Sequence, residues 1–293
     1  MGHPSAHRPL AIAAVSLRAD LDVAAGLEAV TRVITVARRR GARLIVFPEA
    51  SLGGYLDERE VEGTVVRGAP PVLADPEVAW ARVREAAGDA VVCIGYSEAS
   101  GPLVYAAVAC LSGDGMLGHQ RKVHIPPGEL GLVAAGGGFR AFDTPVGRLG
   151  MLVCYDKLFP EAARSLALDG AQIIACPAAW PVCRERAARR MRNDRQVRHF
   201  NALDVARAVE NQVVWVSANQ VGRHGRLRFP GQSKVVDPDG RVLACTGTRA
   251  GLALAQLDPG AAVRAARAEI SHLGDRVPDA YGRPAAAPGA TAL

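Results

Sequence analysis

The sequence has no apolar run long enough to cross a bilayer. Its longest runs, at 10–17 and 213–218, fall well short of the roughly 20 residues that a transmembrane helix needs. Residues 1–9 also lack the long apolar segment of a secretory signal peptide. We therefore expect a cytoplasmic protein with no membrane partner.

Lysine is scarce in this chain. Of the 35 basic residues only three are lysines, namely Lys122, Lys157 and Lys234, and the rest are arginines. A compact ammonium fits a tight site that the broad guanidinium fork cannot enter. Each lysine is therefore informative about a possible site.

The six cysteines lack the spacing of a metal site, because none forms a CxxC pair. This predicts no metal and no cofactor that depends on one. Three thiols lie inside apolar runs and are predicted to be buried and inert: those of Cys93, Cys110 and Cys176. Cys154 differs, because it ends the apolar run 149–153 and three polar residues follow it. Its sulfur is expected where a strand stops.

Short apolar runs alternate with helical patterns, which predicts the α/β class. The turn at 237–240, with its proline and glycine, predicts a hairpin and hence mixed β-sheets. We expect one domain over residues 1–283 and a disordered tail at 284–293. Strands are predicted near 10–17, 43–47, 90–96, 103–112, 148–153, 171–176 and 212–218, and helices near 23–40, 76–87, 160–169 and 186–210.

The net charge of +6 is spread along the chain, except for the basic stretch 184–198. This stretch is predicted to be a basic helix with three interpretations: a solvated or interface face, the anion-binding rim of a pocket, or a nucleic-acid contact. Because no aromatic residues interleave with its arginines, we expect no nucleic-acid partner.

Three residues in distinctive contexts supply the groups that acyl transfer needs. Glu49 follows a predicted strand and can take a thiol proton, then activate water. Lys122 can stabilise a tetrahedral oxyanion, and Cys154 can carry the acyl group between two half-reactions.

The segments that hold these residues resemble the nitrilase (carbon-nitrogen hydrolase) superfamily in order and context. They read IVFPEA at 45–50, RKVHIP at 121–126 and GMLVCYDKLFPE at 150–161. The resemblance implies an αββα sandwich that pairs into a four-layer dimer or larger homo-oligomer and needs no cofactor. It also implies Glu49 as general base, Lys122 as oxyanion stabiliser and Cys154 as nucleophile.

Further residues receive supporting roles in this interpretation. Glu129 resembles a second glutamate that holds the lysine in place, and His124 is expected to orient its neighbours. The backbone N–H of Tyr155 is a candidate second oxyanion donor. Trp180 is expected, by similarity, to contribute to the substrate pocket wall, and Arg184 or Arg186 is a candidate partner for a substrate carboxylate.

Lys157 receives no role from the resemblance. We expect it to pair with Asp156 or Glu161.

The residues after the nucleophile bear on the substrate. Nitrile hydrolysers of the superfamily usually carry Trp-Glu directly after the cysteine, whereas this chain has Tyr155 and Asp156. This favours hydrolysis of a small amide or N-carbamoyl substrate through an acyl-enzyme. The alternatives are an acyltransferase or a nitrilase on the same scaffold, and a catalytically silent dimeric interaction protein.

Overall fold

A computed structural model of the chain describes residues 9–62, 64–73 and 75–281. The predicted tail at 284–293 lies outside these residues. Within them, no helix combines the length and the apolar character needed to span a membrane.

The described residues form helices and strands in alternation, as predicted for the α/β class. The strands are β1 (Leu10–Ser16), β2 (Ala42–Val46), β3 (Asp57–Val61), β4 (Thr64–Gly68), β5 (Val91–Ser100), β6 (Leu103–Ser112), β7 (Gly115–Arg121), β8 (Phe142–Thr144), β9 (Gly147–Met151), β10 (Ile173–Ala178), β11 (Val214–Asn219), β12 (Val221–His224), β13 (Leu227–Pro230), β14 (Lys234–Val236), β15 (Val242–Cys245) and β16 (Gly251–Leu257). The α-helices are α1 (Val23–Arg39), α2 (Pro76–Ala87), α3 (Pro160–Leu168), α4 (Arg195–Asn211) and α5 (Pro259–Glu269).

Two six-stranded sheets form the centre of the molecule. The first has the order β16-β1-β2-β5-β6-β7 and the second the order β15-β14-β11-β10-β9-β8. Each sheet has parallel strands at its middle and antiparallel strands toward its edges. The predicted hairpin at 237–240 joins β14 to β15, so the prediction of mixed sheets is confirmed.

The sheets pack face to face, and helices cover their outer faces. One core cluster between the sheets holds residues of both, such as Ile12 of β1 and Ile173 of β10. A second cluster joins the first sheet to α1 and α2, and a third joins the second sheet to α3 and α4. This is the predicted αββα sandwich, in one domain.

The thiols expected inside apolar runs lie in these cores. Cys93, Cys110 and Cys176 are fully buried free cysteines.

The predicted start of the helix near 186–210 is wrong, because α4 begins only at Arg195. Asp194 is the reason, since its carboxylate accepts the backbone N–H groups of Gln196 and Val197 and caps the helix. The same carboxylate also accepts N–H groups of Cys183 and Ala188 from the preceding loop. The basic stretch is therefore mostly a loop that is folded onto the start of α4.

Candidate active site

Glu49 lies just beyond the carboxyl end of β2, with its side chain only 2% exposed. Its Oε2 accepts the backbone N–H of Ala179 at 2.9 Å, and Gln220 Nε2 donates to its backbone oxygen at 2.9 Å. The next residue, Ala50, has a φ of 54°, in the left-handed region that non-glycine residues rarely adopt. The surrounding bonds thus fix one carboxylate at a strained strand end.

Lys122 directly follows β7, at the end of the same sheet, and its side chain is fully buried. Its Nζ donates to Glu49 Oε1 at 2.9 Å and to both carboxylate oxygens of Glu129 at 2.6 and 2.8 Å. Burial alone would lower the pKa of Lys122, but the two carboxylates raise it above its ordinary value. The ammonium therefore stays charged at neutral pH.

Cys154 stands where β9 has ended and a short 3₁₀ turn begins. Its φ of 49° is left-handed, and its side chain lines a cavity. Burial first and Glu49 second raise the pKa of the thiol well above its ordinary value, while Lys122 opposes them. The three predicted catalytic side chains thus meet closely enough to perturb one another, and the thiol is protonated at neutral pH.

Asp156 joins the cysteine turn to the lysine segment. Its carboxylate accepts the backbone N–H of Val153 at 3.0 Å and that of His124 at 2.8 Å. The His124 ring Nδ1 lies 2.8 Å from the same carboxylate, and the ring stacks on Phe159 at 3.7 Å. The relative position of Cys154 and Lys122 therefore depends on one buried acid.

Tyr55 completes the surroundings of Glu129, to which its hydroxyl donates a hydrogen bond. Burial and the charges of Glu129 and Glu49 raise the pKa of Tyr55 well above its ordinary value, so the hydroxyl remains a donor. Burial also raises the pKa of Glu129, against the effect of Lys122.

A cavity of about 890 Å³ opens beside these groups. Cys154, Glu129 and Tyr55 line it, together with the wall residue Trp180. The Trp180 ring is held in place because its Nε1 donates to Gln196 Oε1 at 3.0 Å. The cavity gives a small molecule access to the thiol.

Comparison with known proteins identifies the family of this chain. Residues 11–267 match the family model described as "Carbon-nitrogen hydrolase". This chain belongs to the carbon-nitrogen hydrolase family.

Relatives and a solved structure of this family cover most of the chain. A nitrilase of Pyrococcus abyssi is 30% identical over 78% of this chain and 81% of its own length. An N-carbamoylputrescine amidase of Solanum tuberosum is 28% identical over 83% of this chain and 84% of its own. The crystal structure of a carbon-nitrogen hydrolase from Helicobacter pylori G27 superposes with a TM-score of 0.82 at 24% identity, covering 94% of this chain and 97% of that one. The resemblance to the nitrilase superfamily is confirmed.

In this carbon-nitrogen hydrolase, most of the residues singled out from the sequence lie at one cavity. Glu49 and Lys122 are buried and do not line the cavity, but Lys122 contacts Glu129, which does. His124 contacts Asp156 and does not line the cavity either. The residues that line it are Glu129, Cys154, Tyr155, Trp180, Arg184 and Arg186.

The expected partners of Lys157 are wrong. Its ammonium is fully buried and donates to Asp204 Oδ1 at 2.8 Å, not to Asp156 or Glu161. The third lysine, Lys234, donates to the other oxygen of Asp204 at 2.6 Å. Asp204 comes from α4, so long-range packing rather than sequence proximity selects the partner.

Sequence reasoning gave no role to Tyr55 or Asp204, and it considered Asp156 only as a partner of Lys157 and as an indicator of the substrate class. Asp156 lies in the segment 150–161 that carries the family resemblance, so its position could have indicated a role in the site. Tyr55 and Asp204 lie in segments with no distinctive pattern, so only the fold reveals their contacts with Glu129 and with the two lysines.

Proposed function

We propose that this carbon-nitrogen hydrolase cleaves an amide or N-carbamoyl substrate through a covalent acyl-enzyme on Cys154, without a cofactor. The single observation that carries the proposal is the Lys122 ammonium, which lies between the carboxylates of Glu49 and Glu129 beside a cavity that Cys154 lines. Each step of acyl transfer then has a group in reach.

In the first half-reaction, Glu49 takes the proton of the Cys154 thiol as the sulfur attacks the substrate carbonyl carbon. A general base is needed because the raised pKa of this thiol leaves little thiolate at neutral pH. Lys122 and the backbone N–H of Tyr155 stabilise the oxyanion. The carbon–nitrogen bond then breaks, and the nitrogen leaves as ammonia or an amine with the proton from Glu49.

In the second half-reaction, Glu49 takes a proton from water, and the water oxygen attacks the thioester carbon. The carbon–sulfur bond breaks, the acid leaves, and the sulfur regains its proton from Glu49. Glu129 acts through Lys122, which it holds with two hydrogen bonds, and Tyr55 holds Glu129 in turn. Asp156 and His124 keep the cysteine turn beside the lysine segment.

The positions of three cavity-lining residues suit contacts with the substrate. Trp180 lies with its ring fixed in the wall, which suits contact with the acyl group, and Arg184 and Arg186 lie on the lining of the same cavity. Activity on amides also fits a relative that is named an N-carbamoylputrescine amidase.

The test is ammonia release over a panel of aliphatic amides, aromatic amides, dicarboxylate monoamides, N-carbamoyl amino acids and nitriles. We expect turnover on an amide or N-carbamoyl compound and its loss in Cys154→Ala. Lys122→Arg should lower kcat at least about 10²-fold, because three hydrogen bonds converge on the one nitrogen of this buried ammonium, whereas a guanidinium spreads its donors over a broader fork.

Cys245→Ala is the matched control, because Cys245 is an exposed thiol on β15. It should keep native turnover. Near-normal activity of Cys154→Ala would refute the proposal, as would turnover of nitriles alone. Adding an amine acceptor distinguishes hydrolysis from acyl transfer, because a transferase would form the new amide in place of the acid.

A further inference from the structure

The mouth of the catalytic cavity is basic. Among the described residues that line it, Arg184, Arg186 and Arg195 are exposed arginines and Glu185 is an exposed acid. Among the residues that the structure describes, neither Arg186 nor Arg195 forms an ion pair with a carboxylate. Arg186 and Arg195 therefore place two guanidinium charges at the mouth.

The inner end of the cavity has the opposite balance. Glu49 and Glu129 share the single ammonium of Lys122, and all three side chains are buried. An anionic substrate group placed beside Glu129 would meet a buried cluster of two carboxylates and one ammonium. Because like charges repel most strongly where water is excluded, the reacting end favours a neutral group, such as an amide.

One buried acid builds the basic mouth. Asp194 is 1% exposed, caps α4 and accepts N–H groups from Cys183 and Ala188. These bonds place the loop that carries Arg186 beside the first turn of α4, which carries Arg195. The hydrogen bonds of Asp194 thus bring the two arginine-bearing segments to the same cavity.

We propose that the cavity selects amide or carbamoyl substrates that carry a carboxylate at the end remote from the scissile bond, with Arg186 and Arg195 as its recognition residues. This inference rests on the proposed function and adds its substrate class. A guanidinium donates paired hydrogen bonds to a carboxylate, and the charges strengthen them. A cationic end group would meet the same arginines and be repelled.

The experiment compares three primary amides of matched length that differ in their far end: succinamate (anionic), butyramide (neutral) and 3-aminopropanamide (cationic). We expect kcat/KM to fall in that order, with at least about a tenfold step from anion to neutral compound. The preference should weaken as salt rises above about 0.1 M, because exposed charges are screened.

Variants assign the effect to its residues. In Arg186→Gln/Arg195→Gln, the ratio of kcat/KM for succinamate to that for butyramide should drop at least about tenfold, mainly through KM. Arg241→Gln is the control, because Arg241 is exposed at the β14–β15 hairpin and does not line the cavity. Its ratio should equal that of the native chain.

The protection of Cys154 from iodoacetamide by each amide measures binding without turnover. Equal kcat/KM and equal protection for the three amides would overturn the charge preference while leaving the proposed hydrolase intact. A preference that survives in the double variant would overturn the assignment to Arg186 and Arg195. If no amide of any charge is cleaved and none protects Cys154, both the preference and the proposed function fall.

Discussion

Replacing Asp204 with asparagine should be the most damaging single change of charge in the interior. In the native chain two ammoniums, of Lys157 and Lys234, share this one carboxylate at 2.8 and 2.6 Å. Both also lie over the ring of Phe200, at 3.1 and 4.4 Å from its centre. The asparagine side chain would keep the shape of the site but leave two buried cations without a counter-charge.

Removing one partner from a buried ion pair costs about 3–5 kcal/mol. We therefore expect Asp204→Asn to lower the free energy of unfolding by about that amount. Lys157→Met is the matched variant, because it removes a charge of the opposite sign and leaves a one-to-one pair between Asp204 and Lys234. Its unbranched chain keeps the packing over Phe200, so its loss should stay below about 1.5 kcal/mol.

The pH dependence of the free energy of unfolding provides a second check, because the direction of the change with pH can be derived. Burial already lowers the pKa of Lys234 in the native protein, while the charge of Asp204 acts to raise it. Without Asp204, the pKa of Lys234 should therefore fall further. An unfolded lysine keeps its proton up to about pH 10.4, so the unfolded state binds more protons above the lowered pKa. Stability then rises with pH, and the deficit of Asp204→Asn should shrink between about pH 7 and pH 10.

Urea denaturation at several pH values, at one protein concentration, measures both effects. The reasoning would be refuted if Lys157→Met were as destabilising as Asp204→Asn, or if the deficit of Asp204→Asn grew with rising pH.

Two further expectations concern the Cys154 thiol and the strand end that carries Glu49. Peptide mass spectrometry can measure the rate at which iodoacetamide alkylates Cys154. This rate should keep rising above about pH 9, because burial and Glu49 raise the pKa of the thiol. A rate that levels off below about pH 8 would contradict this expectation. Gly95→Ala should lower stability by about 1–3 kcal/mol and also reduce kcat, because a methyl group there would lie 2.6 Å from the Cα of Glu49. Gly137→Ala meets no atom within 4 Å and should behave like the native chain in thermal unfolding and turnover, so equal losses in both variants would show that the contact with Glu49 is not the cause.

The three residues proposed to be catalytic could be selected from the sequence because their local contexts are distinctive. Glu49 and Cys154 each follow an apolar run that becomes a buried strand, and Lys122 follows a third strand, β7, that the pattern did not reveal. Strand β7 contains two glycines and several polar residues, and Gln120 is its one buried position, so it lacks the apolar run that marked the others. Lys122 was selected from the family motif at 121–126 and not from the pattern of apolar residues in β7.

The start of α4 shows where local patterns fail. Residues 186–194 are rich in arginine and alanine, which are good helix formers, yet they form a loop with one short 3₁₀ turn. The helix begins only after Asp194, because its buried carboxylate accepts backbone N–H groups of both the loop and the helix. Helix propensity is a weak prior that such tertiary hydrogen bonds override.

The sequence by itself determined the alternation of strands and helices, the hairpin at 237–240 and the chemistry available to Glu49, Lys122 and Cys154. Each of these follows from side-chain type and short-range spacing. Only the tertiary structure decided what the three scarce lysines do. All three are buried, but Lys122 lies between two carboxylates beside the cavity, whereas the other two share Asp204 inside the protein. The partner of a buried charge is set by which elements pack together, and that information lies in contacts far apart along the chain.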